Sequence, residues 1–519
     1  MPHLVRMVSM PVALLMAFSA SACQKSNTTP TPVPAPQPAI PGSAVNIPAL
    51  PSADELLRQA VARELHKDKH IDQPGIQVAA HTGIIELTGQ VDNVLSKERA
   101  TRVAEVVRGV RAVDNRIEVI APKRPDQDIA QDVQKALAYN FATAKLPIHA
   151  NVKDGGVVLT GTVGSWQEKQ FAERVAEGVR GVRSAQNALD TKLTAKRESS
   201  AIAGDVKSRL AWDALVEHDP IEVAVSNGHV TLTGTTGSAA EKTRASGDAW
   251  VDGVNGVDAT GVEVKVWDRP DKNLVRGTPK SDEQIAHAIK NAAFYDPRVE
   301  SFNINPSVTG GFVTLTGTVE TLQAKRAAEA LAHNTVGVLG VTNRLVARSR
   351  EPLADRLLQD RIEGALAFDP LTDARDIHLT VKSGLVTLTG SVGTYLESAE
   401  ALDVVSRTAN VTVADDQLKV RDQTTPYVYS AWVDPYIPYA DTWYLFGPRA
   451  GDSDFNIGQR IKAEFSWSPF ILPEDIQVRM QDGTAVLTGT VSTYREREAA
   501  ADSAIEAGAI AVDNQIKVG

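Results

Sequence analysis

The chain has 519 residues, a single cysteine, 54 basic against 64 acidic residues and a formal net charge of −10. One cysteine excludes a structural disulfide, so the fold must be held by its own apolar cores. An acidic chain also excludes general attraction to nucleic acid or to an anionic membrane through its bulk field, and any such contact has to be local.

Residues 1–22 predict a secretory signal. Arg6 supplies the positive end, the stretch from Val12 to Phe18 is a short apolar core, and Ala20-Ser21-Ala22 is a small-residue cleavage site. Cys23 follows at once. An apolar core, small residues and then cysteine resemble the bacterial lipoprotein cleavage box, in which that cysteine becomes the lipidated first residue. Ala20 stands where the box usually has leucine, and an ordinary signal followed by a chance cysteine is the other reading. Gln24 in place of aspartate favours the outer membrane, by resemblance to enterobacterial lipoproteins. Residues 23–51 then read as a lipidated cysteine and a Pro-rich tether that stays extended and solvated. No later apolar run approaches the ~20 residues that span a bilayer.

Downstream, Leu-Thr-Gly recurs six times, ending at Gly89, Gly161, Gly234, Gly317, Gly390 and Gly489, with spacings of 72, 73, 83, 73 and 99 residues. Solenoid repeats run roughly 20–50 residues, whereas about 70 residues just support an independent core. The spacing predicts six small domains in series, forming an extended array. Their expected limits are 52–121, 127–196, 201–267, 281–348, 353–421 and 454–519. Residues 268–280, with Pro270 and Pro279, form a flexible linker between the halves, and 422–453 an insert.

The fifth repeat shows the grammar. Leu358, Ile362, Ala365 and Leu366 recur at helical spacing up to Phe368-Asp369-Pro370, where proline stops the helix. Ile377, Leu379 and Val381 alternate, as do Val386 and Leu388, which predicts two half-buried strands joined at Ser383-Gly384. A second helix follows from about Leu396, then a short strand holding Leu418 and Val420. The order is α-β-β-α-β. Helix two meets Gly109-Val110, Gly181-Val182, Gly253-Val254 and Gly337-Val338 in other repeats, where glycine suits a positive-φ cap. Asn115, Asn187, Asn343 and Asn514 recur as turn or capping residues.

Helix one, the alternating strand, a glycine turn, Val313-Thr314-Leu315-Thr316-Gly317-Thr318-Val319 and the Gly-Val ending together resemble the BON domain, a family of bacterial osmotically inducible and nodulation proteins. The resemblance covers most of residues 52–519. It implies an α/β (α+β) class: six tandem α-β-β-α-β sandwich domains, each with a three-stranded mixed sheet and two helices. It further implies an exported, non-enzymatic protein that attaches to phospholipid membranes or envelope components, and it transfers no catalytic residue.

Two features stand out as candidate sites. Helix one ends on an aromatic residue in five repeats, at Tyr139, Trp212, Tyr295, Phe368 and Trp467, with Lys67 in the first. Such rings either pack over the helix–sheet seam, with the following aspartate capping the turn, or sit at a lipid interface. The insert carries Trp432, Tyr436, Tyr439, Trp443, Tyr444 and Phe446, and either fills a groove on neighbouring domains, docks a membrane or partner, or is disordered. These six are the candidate lipid- or partner-binding residues, with Trp432 and Trp443 as anchors. Histidines are scattered, and no metal-ligand spacing, nucleophile elbow or phosphate loop is found, so no cofactor, metal or nucleic acid is expected. The expectation is an outer-membrane lipoprotein anchored at Cys23, facing the periplasm and touching phospholipid or envelope polymer. The rival is a protein-interaction hub in a secretion or envelope-assembly machine.

Overall fold

A computed structural model describes residues 52–518, apart from 69–70, 72–74, 193–196, 217–220, 266–279, 300–302, 423–452, 469–470 and 472. Cys23, nearly all of the 268–280 linker and all six candidate residues of the aromatic insert lie outside the described residues.

Each repeat builds the expected mixed α+β unit. Helix one is Ala53–Lys67, Asp126–Tyr139, Ser199–Trp212, Asp282–Phe294, Asp355–Phe368 and Asp454–Trp467 in turn. Helix two is Val94–Glu105, Trp166–Glu177, Ala239–Asp248, Leu322–His333, Tyr395–Arg407 and Tyr494–Glu506. Apolar spacing decides which face turns inward: Ile129, Val133, Ala136 and Leu137 are the buried stripe of helix one in repeat two. Every helix two starts at a side chain that accepts the third amide of the helix, namely Asn93, Ser165, Ser238, Thr321, Thr394 and Thr493.

In repeat four the central strand Phe312–Val319 pairs antiparallel with Ile304–Thr309 and parallel with Gly340–Asn343. Val313, Leu315 and Val319 point at the helices and are buried, while Thr316 and Thr318 on the other face are exposed. The recurring asparagine clamps helix two to the third strand. Asn343 donates through Nδ2 to the Lys325 carbonyl at 2.9 Å, and its Oδ1 accepts the Leu345 amide at 3.1 Å. The third strand breaks there and resumes at Val346. In repeat five Asp416 takes this place, accepting from the Leu418 amide and from Ser398 Oγ. That strand therefore begins at Val413, earlier than the Leu418–Val420 expectation, and resumes at Lys419.

A second recurring tie was not read from the sequence. Asp54, Asp126, Asp282, Asp355 and Asp454, in the first turn of helix one, accept backbone amides of the hairpin turn. For Asp282 the donors are Gly310 at 2.8 Å and Gly311 at 3.0 Å.

The signature glycine has a tertiary reason. Gly317 has φ +128°, and a Cβ there would lie 2.0 Å from the Asn303 carbonyl oxygen. The incoming chain thus passes where any side chain would stand. Gly317→Ala is expected to cost about 1–3 kcal/mol through backbone strain, plus displacement of the first strand. Denaturant unfolding followed in repeat four checks this.

The repeats do not form the extended array that their spacing suggests. They fold back in nested pairs: one with six, two with five, three with four. In the two–five pair the Arg180 amide donates to the Phe368 carbonyl at 2.6 Å, and the Ala409 amide returns the contact to the Tyr139 carbonyl at 2.7 Å. In the three–four pair the Val336 amide donates to Trp212 at 3.0 Å and the Ala214 amide to Asn334 at 2.8 Å. In the one–six pair the Arg108 amide reaches the Trp467 carbonyl at 2.9 Å. Each contact joins the end of helix one in one repeat to the end of helix two in its partner.

Candidate functional site

The aromatic residues that end helix one supply these junctions. Trp212 packs against the core of repeat four, Tyr295 against that of repeat three and Trp467 against that of repeat one. Phe368 and Tyr139 belong to one continuous cluster that merges the cores of repeats two and five. The rings do not pack over a seam confined to their own repeat; each crosses into the partner. Cations of the partner repeat cover several: the Arg209 guanidinium lies 4.7 Å from the Tyr295 ring centre, and Arg361 lies 5.3 Å from that of Tyr139. The aspartate after the ring does cap its turn, since Asp213 accepts the Leu215 amide and Asp369 the Leu371 amide, both at 2.9 Å. It also pairs with an arginine of helix two, Arg244 with Asp213 and Arg407 with Asp369, each at 2.5 Å.

Arginine reinforces two pairs. Arg180 Nη2 donates to the carbonyls of Asp369 at 2.7 Å and Thr372 at 2.8 Å, and Arg108 Nη2 reaches those of Ser468 at 2.6 Å and Ile471 at 2.7 Å. Between repeats two and five a cavity of about 70 Å³ remains beside Tyr139, Phe171, Phe368 and Arg407. It is far below the roughly 300 Å³ at which ligand pockets begin.

A second set of contacts runs through helix two, head to tail. In repeats one to three it closes on itself: Arg174 of repeat two pairs with Glu98 of repeat one. Trp166 of repeat two stacks on Trp250 of repeat three with ring centres 4.8 Å apart. Thr243 of repeat three donates to Glu105 of repeat one at 3.1 Å. In the second half the Leu322 amide of repeat four donates to Val411 of repeat five at 3.0 Å, and His333 of repeat four stacks on Tyr494 of repeat six.

These seams carry carboxyl groups held close together. Glu177 is buried against Glu98; burial first, then the Glu98 charge, pushes its proton affinity up to about 9. Burial raises Glu105 to about 7. At the one–six seam, carboxylate oxygens of Glu64, Glu464 and Glu506 lie within 4.8 Å of one another. Lys67 Nζ joins them, at 2.7 Å from Glu464 and 3.1 Å from Glu64. Burial, opposed by Lys67 and aided by Glu64 and Glu464, raises Glu506 to about 8. Sequence reading marked Lys67 as the exception to the aromatic rule but did not connect it with these acids. The visible signal was the charge itself: a cation stands where the other five repeats have a ring.

With the helices turned inward, the free sheet faces carry exposed polar side chains, among them His149 and Asn151, Asn305 and Ser307, His378 and Thr380, beside exposed apolar ones such as Ile84, Phe312 and Leu385. The first strand of each repeat pairs on one side only among the described residues. No helix of the described residues is long and apolar enough to cross a membrane.

Compared with known families, the chain matches the BON domain six times, over residues 53–121, 125–192, 198–265, 281–349, 354–422 and 453–519. It is 27% identical over 146 residues to "Osmotically-inducible protein Y" of Escherichia coli (strain K12), covering 27% of this chain and 73% of that protein. It is 29% identical over 135 residues to the "21 kDa hemolysin" of Actinobacillus pleuropneumoniae, covering 25% of this chain and 69% of that one. Among solved structures it is similar to CdsD, a structural protein of the type III secretion system of Chlamydia trachomatis. That likeness is at 16% identity over 38% of this chain and 88% of that chain, with a TM-score of 0.12.

Proposed function

The chain belongs to the BON domain family, and from that footing we propose a non-enzymatic envelope protein, anchored by lipid at Cys23 to the periplasmic side of the outer membrane. Its six repeats act as a scaffold that contacts phospholipid or envelope polymer and supports envelope integrity under stress. The observation that carries this reading is the inward turning of every helix one and helix two. It leaves the sheet faces outward, polar with some exposed apolar residues among them, on repeats held together by packing. Weak contacts at several faces add through effective concentration, and a packed scaffold loses less entropy in doing so than a flexible string. Kinship with an osmotically inducible protein supports the stress role.

The open strand edges favour a second reading, a protein-interaction hub, because such an edge adds a partner strand without any side-chain chemistry. The test is co-sedimentation of the unlipidated chain, residues 24–519, with phosphatidylcholine vesicles and with vesicles containing phosphatidylglycerol. Binding to vesicles that weakens in a Trp432→Ala/Trp443→Ala variant is expected. Failure to bind either vesicle leaves the lipid at Cys23 as the membrane contact and turns the reading to the hub. A Cys23→Ser chain that still fractionates with membranes overturns the anchor.

A further inference from the structure

The one–six pair is held differently from the other two pairs. Repeats two and five exchange Tyr139 and Phe368, and repeats three and four exchange Trp212 and Tyr295, so each of those pairs is anchored from both sides. Repeat six sends Trp467 onto the core of repeat one, but among the described residues none of repeat one joins the repeat-six core. What repeat one returns is polar: Lys67, an ion-pair donor to Glu464, and Arg108, a donor to backbone carbonyls of repeat six.

At two of the three seams around repeat one carboxyl groups meet across a repeat boundary, and at the third a single carboxyl is desolvated there. Toward repeat two, Glu98 faces Glu177, with Arg174 and Glu173 on the same helix as Glu177 and Arg102 on that of Glu98. Toward repeat three, Glu105 faces only the Thr243 hydroxyl, with Arg102 on its own helix. Toward repeat six, Glu506 faces Glu64 and Lys67 from helix one of repeat one and Glu464 from helix one of repeat six. Asp502 lies one turn back on its own helix, and Arg63 acts on Glu64. The lysine there is one cation among three glutamates. By contrast, Asp248, Glu400 and Asp403 sit against Arg209 and Arg407 inside their own repeats.

We propose that repeat one is an alkali-releasable member of the scaffold: ionisation of Glu177 and Glu506 sets like charges together at two of its seams, ionisation of Glu105 puts a desolvated charge beside only the Thr243 hydroxyl at the third, and repeat one swings out while the two–five and three–four pairs stay closed. Burial raises all three carboxyls above their unfolded values near 4.3, and neighbouring carboxylates add to the rise at Glu177 and Glu506. The closed seams are therefore fully stable below that value and weaken as pH climbs through about 7, 8 and 9. Release exposes Trp467 and the Arg108-binding carbonyls of repeat six, a surface that the closed form hides.

Hydrogen exchange of the full mature chain, corrected for the intrinsic pH dependence of amide exchange, tests this between pH 6 and pH 9.5. Protection in Ala53–Lys67 and Val94–Glu105 is expected to fall about tenfold or more, while the central strands Gly156–Val163 and Leu385–Thr394 hold theirs. The triple variant Glu105→Gln/Glu177→Gln/Glu506→Gln keeps the shape of each group without its charge, and is expected to keep repeat one protected at pH 9.5. Uniform loss across all six repeats, or no regional loss in the parent chain, overturns the proposal even if the variant does not fold. A parent-like profile in a folded variant overturns it as well.

Discussion

Phe368→Ala is expected to destabilise repeats two and five together, by about 3–5 kcal/mol as for other large aromatic truncations in a core. The ring is 8% exposed and lies in a cluster that runs without interruption from Ile129 and Val133 of repeat two to Leu358 and Ile362 of repeat five. Removing it opens a cavity that both repeats line. The backbone bond from Arg180 to residue 368 survives the substitution, so the loss reports on packing and not on the hydrogen bond. Calorimetry combined with hydrogen exchange at Ile148–Lys153 separates the alternatives. Lost protection in that strand, which belongs to repeat two, means that a cavity made in repeat five is shared. A loss confined to repeat five means that the cores are merely adjacent.

The second large effect concerns the halves of the molecule. A protease site placed between residues 268 and 280 and cut in the folded protein is expected to leave residues 52–267 and 281–519 travelling as one species on gel filtration. All three pairs bridge that cut, with apolar rings crossing in each and Arg108 and Arg180 adding charge-assisted bonds to carbonyls in two. Adding Trp212→Ala to the nicked chain removes one ring from the innermost pair and is expected to raise the concentration at which the halves part. Separation of the unmutated nicked halves in native buffer would sink the paired arrangement.

The order of elements was legible because it is local. The apolar stripe of Leu358, Ile362 and Leu366 and the alternation of Ile377, Leu379 and Val381 belong to one helix and one strand, and they appear as expected. Leu-Thr-Gly was legible as a mark but not as a cause, because the cause is the carbonyl of residue 303 or 376 arriving from another strand. Aromatic recurrence at helix-one ends was visible too, yet its meaning was not. Six similar repeats offer six similar grooves, and nothing in a single sequence says which groove receives Trp212. The aspartates that begin helix one were overlooked because a helix N-terminus already explains them, and their reach to the hairpin turn exists only once the unit has closed. The array reading failed for a related reason: spacing fixes the size of each unit but is silent on whether units touch.

Nesting the pairs has a kinetic consequence. The three–four contact joins neighbouring repeats, the two–five contact spans 189 residues between Arg180 and Asp369, and the one–six contact spans 360 between Arg108 and Ser468. Loop-closure entropy rises with the logarithm of length, so once the inner pair has docked each outer pair closes a much shorter effective loop. Assembly then proceeds like a zipper from the chain's midpoint outward. For a chain that emerges N-terminus first into the compartment where it folds, that order cannot begin until repeat four has emerged, and until then the first three repeats wait with Tyr139, Trp212 and the grooves for their partners uncovered. The nascent half-molecule is thus the form most exposed to aggregation, and the interval before repeat four appears is when a holding chaperone matters most.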